Sequence, residues 1–201
     1  MAEDLVLSTQ FNNQTILYEE GSVDAITAGL LEEATLAFDR HSTIEIQGRL
    51  FRGASPFGLD LIAIDIQRGR DHGLGTFNDV RHACGKERAR HFADLEDSMT
   101  PENIAVLQGL YRHVDDIDFM VGGMMEVPLT KDAAVGPAFG CVISLEFRSK
   151  RISDRYWHEN PTQFPLDLLN QMRRITMAEI LCQTTGLRKV PLNAFRVPSD
   201  M

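Results

Sequence analysis

The sequence predicts a mainly α-helical fold on three observations. Apolar residues recur at helical spacing, as in Ala138, Cys141, Val142 and Leu145. Helix start and stop signals punctuate the chain: Ser22, Thr100 with Pro101, and the glycines Gly73, Gly85 and Gly186. Alternating strand patterns are scarce. No repeat, low-complexity stretch or linker divides the 201 residues, which predicts one compact unit. A chain of that length buries roughly 70% of its unfolded surface.

The elements follow in order. Residues 5–18 read as mixed and irregular. Ser22 is an N-cap for a short helix over Val23 to Leu31. In "STIEIQGRLF" the apolar residues Ile44, Ile46 and Leu50 suggest a helix, and "RGASPFG" is a turn. Leu59 to Asp71 is apolar nearly all round, which predicts a buried helix closed by Gly73. "TFNDVRHACG" gives a second short helix that stops near Gly85. "TPENIAVLQGLYR" carries a full start signal, with Thr100 as N-cap, Pro101 in first position and Asn103 in the capping-box place. "DDIDFMVGGMMEVPL" reads as a short helix followed by a Gly-Gly and Met-rich loop. "VGPAFGCVISLEFRSK" is a helix, and "PLDLLNQMRRITMAEILCQTTGL" is one amphipathic helix ending at Gly186.

Charge and cysteines narrow the function. A formal net charge of −9 argues against nucleic acid or an anionic membrane as partner. No apolar run approaches the ~20 residues of a membrane span, so none is expected. The N-terminal stretch is acidic, so no signal peptide is visible. Cys84, Cys141 and Cys182 form no CxxC pair. The six histidines form no HExxH and no i, i+4 pair, so no metal site is expected. GxSxG, P-loop and Rossmann motifs are also missing. Cys84 lies between His82 and Lys86 but reads as a structural thiol, and Met124–Met125 reads as packing.

One stretch concentrates charge beside an apolar run: "AIDIQRGRDHG", residues 63–73. Leu61, Ile64, Asp65 and Arg68 stand at i, i+3, i+4 and i+7 and share one helical face. Spacing favours an internal Asp65–Arg68 ion pair, extended by Arg70 and Asp71. It leaves open a ligand face, with an apolar wall, a cation for an anionic group and an orienting acid. His72, at the helix C-terminus, reads as a dipole-satisfying residue.

"GLDLIAIDIQRGRDHGLGTFNDVRHACG" resembles the hallmark stretch of the animal haem peroxidases, the group of peroxidasin, peroxinectin, chorion peroxidase and myeloperoxidase. "LYRHVDDIDFMVGGMMEVPL", "VGPAFGCVISLEFRSKRISDRYWHENP" and "MRRITMAEILCQTTGL" resemble the family's following segments, in order, and "FNNQTILYEEGSVDAITAGL" the segment before. Nearly the whole chain is covered.

The resemblance implies the C-terminal part of a helical haem peroxidase domain, residues 1–201, whose full-length form oxidises a halide, phenol or tyrosine-type donor with hydrogen peroxide. It implies haem b as cofactor. Asp65 stands where the family usually has an asparagine that accepts a hydrogen bond from the proximal haem histidine. Arg68 aligns with the arginine on a haem propionate, and Leu61 and Ile64 align with haem-side packing residues. Cys84 and Cys141 align with a disulfide pair, while the partner of Cys182 aligns beyond Met201. The distal histidine, catalytic arginine, proximal histidine and calcium site align upstream of this chain, so the resemblance implies no catalytic residue within it and a missing N-terminal part of the same domain as its partner. His41 sits in no proximal motif. Disulfides imply an oxidising, extracellular compartment. A second function class stays open: a non-catalytic peroxidase-like fragment acting as a structural or binding module.

Overall fold

The structure is a computed structural model and describes residues 5–197. In chain order the α-helices are Leu7–Gln10 (α1), Ser22–Glu32 (α2), Leu61–Asp71 (α3), Phe77–Ala83 (α4), Pro101–Leu110 (α5), Phe119–Met125 (α6), Pro137–Ser153 (α7), Leu166–Met172 (α8) and Met177–Thr184 (α9). Tighter 3₁₀ turns occupy Thr15–Tyr18, Phe92–Asp97 and Val114–Asp116. Two short strands, Gln47–Leu50 (β1) and Leu59–Asp60 (β2), pair antiparallel. The fold is mainly α-helical, as the sequence predicts.

The described residues form two compact units where the sequence suggests one. The first holds Ala37–Lys150 with the described residues up to Phe11, and the second holds Asn12–Leu36 with residues 151–197. Each unit is assembled from separate stretches. The crossings fall at 11–12, 36–37 and 150–151, where no Pro, Gly or Ser cluster marks a boundary.

The core lies in the first unit. Phe77 of α4, Leu95, Ile104 and Leu107 of α5, Val114, Ile117, Met125 of α6 and Ala138 of α7 form one buried cluster. Two buried polar residues tie the following loop to α4. Asn78 donates through Nδ2 to the Ala89 carbonyl at 2.8 Å and accepts from the Ala89 N–H at 2.9 Å. Arg81, 4% exposed, bonds Asp97 through both terminal nitrogens at 2.9 and 2.8 Å and the Glu87 carbonyl through Nε at 3.0 Å. Buried polar groups are stable only when so partnered. Cys84, at the end of α4, is disulfide-bonded to Cys141 in α7, 57 residues on.

Several elements differ from the sequence reading. Residues 43–50 are not helical. Gly48 sits at φ +98° after a turn closed by the Ile46 N–H on the Thr43 carbonyl, within β1. A left-handed glycine stops helix propagation, and the three apolar residues there are too few to override it. Gly122–Gly123 and Met124–Met125 lie inside α6, not in a loop. A Cβ at Gly122 would overlap the Phe77 side chain, and one at Gly123 the Phe139 ring. The glycines are what lets those aromatic rings reach the helix. The long C-terminal helix is two, α8 and α9. Thr176 caps α9 by accepting from the Glu179 N–H at 3.2 Å, which restarts the helix after a turn at Arg173–Ile175. In α2, Gly21 at φ +79° holds the cap position and Ser22 is the first helical residue.

Candidate functional site

The charged stretch lies on α3. Asp60 starts this helix by accepting from the Ala63 N–H at 3.1 Å. Its end is fixed by the αL residue Gly73. The Leu74 N–H bonds the Gly69 carbonyl at 3.0 Å and the Gly73 N–H bonds the Arg70 carbonyl at 3.1 Å. That is a Schellman closure, which needs a residue free to adopt positive φ at its corner. The His72 ring closes the same end, with Nδ1–H donating to the Arg68 carbonyl at 2.8 Å.

Contrary to the all-round apolar pattern, no residue of α3 is fully buried. One side of the helix faces a cleft of about 580 Å³ within the first unit. That volume lies inside the roughly 300–1,000 Å³ range of ligand pockets. Asp65, Ile66, Arg68, Gly69 and Arg70 border it from α3, with His72, Leu74 and Thr76 beyond the helix end. Asp116, Asp118, Phe119 and Met120 form the opposite wall. Asp65 and Arg68 therefore meet at one cleft. Leu61 and Ile64, half-buried on the same helix, are not part of its lining.

The internal ion pair expected from spacing does not form. Among the described residues, neither Asp65 nor Arg68 has a side-chain hydrogen bond or salt-bridge partner, although they lie three residues apart. Asp71, the other acid within one helical turn of Arg68, instead accepts from Gln67 Nε2 at 2.7 Å.

Arg70 is the arginine that finds a partner. Its Nε donates to Asp118 Oδ1 at 2.8 Å and its Nη2 to Asp118 Oδ2 at 2.7 Å. The Tyr111 hydroxyl donates to the same Oδ2 at 2.8 Å. The Arg70 guanidinium holds the Asp118 carboxyl below its ordinary range. Burial, with the Asp118 carboxylate beside it, pushes the Tyr111 phenol up to about 12. This triad spans 48 residues of sequence between its charged members, and no local pattern announces it.

A second group stands apart from the cleft. Glu126 follows α6 and is 5% exposed. Its Oε2 accepts from the Ala138 N–H at the start of α7 at 2.6 Å. Its Oε1 has no partner among the described residues. Burial raises its pKa. The residues around the Cys84–Cys141 disulfide border a smaller hollow that Glu126 also lines. Cys182 in α9 is exposed and not disulfide-bonded. Among the described residues, no cluster of three or more His, Cys, Asp or Glu could hold a metal ion, and no helix is long and apolar enough to cross a membrane.

Comparison with known proteins covers almost all of this sequence. The family model for animal haem peroxidase matches residues 1–195. Thyroid peroxidase of Sus scrofa is 39% identical over 196 residues, which is 96% of this chain and 21% of that protein. Peroxidase-like protein 3 of Lottia gigantea is 34% identical over 94% of this chain and 62% of its own length. Among solved structures, peroxidase A from Dictyostelium discoideum superposes with a TM-score of 0.70 at 30% identity, covering 82% of this chain and 31% of that one. The chain thus spans less than two thirds of each of these relatives.

Proposed function

The chain belongs to the animal haem peroxidase family, and from that premise we propose that it is the C-terminal portion of a peroxidase domain and that the α3 cleft is the proximal border of a haem site. The observation that carries this reading is the pair of unpartnered charges, Asp65 and Arg68, on one cleft beside Ile66, Leu74, Phe119 and Met120. Neither charge is tied up by a side chain among the described residues, so both are available to a group bound in the cleft. A haem fits that donor set. Its flat apolar body would suit the apolar wall, its propionates would suit the Arg68 guanidinium, and the histidine that holds its iron would suit Asp65 as an acceptor. When bound, haem supplies the reduction of hydrogen peroxide and the oxidation of a halide, phenol or tyrosyl donor.

The residues of this chain have defined parts in that scheme. Arg68 holds a propionate as a charge-assisted donor. Asp65 accepts the N–H of the iron-ligating histidine. A carboxylate pulls harder on that proton than the amide usual in the family, which makes the imidazole a stronger donor to iron. Leu61 and Ile64 support the helix from its half-buried side rather than lining the cleft. The histidine that ligates iron, the distal histidine, the catalytic arginine and the calcium site come from the portion of the domain that precedes these residues. His72 is assigned to closing α3, where its Nδ1–H donates to the Arg68 carbonyl, and is given no part in holding the iron. The Cys84–Cys141 disulfide fits an oxidising, extracellular setting.

Haem titration tests the proposal. The 201-residue chain alone is expected to give no stable histidine-ligated Soret band, and the same chain completed by the preceding part of its domain is expected to give one. A robust histidine-ligated band from the chain alone would place the iron ligand here and overturn this assignment. The same titration decides against the rival reading, a non-catalytic module, if the completed domain binds haem and turns over hydrogen peroxide.

A further inference from the structure

Asp118 holds the N-cap position of α6, yet its side chain makes no capping bond to that helix. An aspartate there ordinarily accepts from the second or third N–H of its helix, a bond worth about 1 kcal/mol. Asp118 gives that up. Both of its oxygens are turned to Arg70, and Oδ2 takes the Tyr111 hydroxyl as well. The carboxylate is well covered, with 14% of its side chain exposed, whereas Arg70 remains 58% exposed at the rim of the cleft. Two arginines therefore reach one cleft two residues apart, and one of them is neutralised by a carboxylate that nothing on α6 requires to be there.

We propose that Asp118 is a specificity-determining residue of this site: by binding Arg70 bidentately it removes that guanidinium as an anion partner and leaves Arg68 alone to meet an anionic group of the cofactor. The proposal rests on the haem reading above and deepens it. Tyr111 is the positioning residue behind it. Its hydroxyl fills Oδ2 from the half-buried side and favours the rotamer in which both oxygens face Arg70. Without this arrangement the cleft would present two competing cations, and a carboxylate-bearing ligand could seat in either of two registers. With it, the guanidinium left to take an acceptor in the cleft is the one that shares a helical face with Asp65.

The test uses metal-free protoporphyrin IX, which needs no iron ligand, and its dimethyl ester, which lacks the free carboxylates. Both are titrated into the protein by fluorescence, with circular dichroism to confirm folding. Arg68→Gln is expected to weaken binding of the acid by about tenfold, the loss of one hydrogen-bonded charge pair. The neutral double variant Arg70→Gln/Asp118→Asn is expected to bind within about twofold of wild type, because the pair it removes is already neutral. Asp118→Asn alone releases Arg70 and is expected to tighten binding of the acid but not of the ester. The double variant keeps the proposal testable even if Asp118→Asn fails to fold. A double variant as weak as Arg68→Gln, or an Asp118→Asn protein that folds and binds no tighter, overturns the assignment to Asp118 alone. Equal wild-type affinity for acid and ester overturns the propionate reading of the cleft, and this proposal with it.

Discussion

Asp118 accepts from Arg70 through both carboxylate oxygens, at 2.8 and 2.7 Å, and from the Tyr111 hydroxyl at 2.8 Å. The phenol is pushed up to about 12 by burial and by that carboxylate. Asp118→Asn removes the charge and keeps the shape, so the Tyr111 phenol is expected to titrate lower in the variant. Absorbance titration at alkaline pH, with Tyr111→Phe subtracted to isolate the residue, reads this directly. An unchanged Tyr111 titration would mean that burial alone sets it.

Glu126 gives a pH dependence whose sign can be worked out. Its folded pKa is raised by burial above the ordinary carboxylate value. The native state therefore prefers the protonated form. The stability this preference adds is fully present below the unfolded pKa of about 4.3 and is lost as pH rises through the raised folded value. Glu126→Gln lacks the titration. Urea midpoints compared at about pH 7 and pH 5 should shift in favour of wild type at the lower pH. Parallel pH profiles for the two proteins would show that the carboxyl is not perturbed. Taking the difference matters, because the paired carboxylates of Asp97 and Asp118 are shifted the other way in both proteins.

The Cys84–Cys141 disulfide closes a loop of 57 residues. In the loop-entropy account a crosslink of that span stabilises by about 4 kcal/mol. Replacing both cysteines with alanine should lower the unfolding free energy of this part of the chain by a few kcal/mol, read by denaturant titration. A loss under about 1 kcal/mol would mean that the buried cluster joining α4 to α7 holds without it.

Two glycines in helices should respond oppositely to alanine. At Gly109 in α5, a Cβ would meet no atom within 4 Å beyond its chain neighbours and its own helix backbone, so Gly109→Ala should stabilise by about 0.5–1 kcal/mol. At Gly122 the new methyl would meet the Phe77 side chain, and overpacking costs about 1–3 kcal/mol. Thermal melts of the two variants should move in opposite directions. A stabilised Gly122→Ala would show that Phe77 can give way.

Much of the fold is legible in local signals. Thr100 with Pro101 ahead of α5, Gly85 after α4, and Gly73 after α3 depend only on neighbouring atoms. Each holds its expected place in the structure. Sequence and structure part where distant contacts decide. Gly-Gly before two methionines reads as a loop until Phe77 and Phe139 are seen to need a surface without side chains. The split between α8 and α9 does have a local signal, since Thr176 and Glu179 stand at capping-box spacing, but the amphipathic pattern running through it masks the break. The site shows the same division. Helical spacing puts Asp65 and Arg68 on one face, but it also suggests that they pair with each other. What engages Arg70 instead is Asp118, 48 residues away, which no periodicity within α3 can reveal.

The role of Asp65 is tested most directly by the haem reduction potential of the completed domain, measured for wild type and Asp65→Asn. A carboxylate behind the proximal histidine favours the ferric and higher oxidation states, so the asparagine variant is predicted to have the higher potential. An unchanged or lower potential in Asp65→Asn would contradict the placement of Asp65 behind the iron ligand.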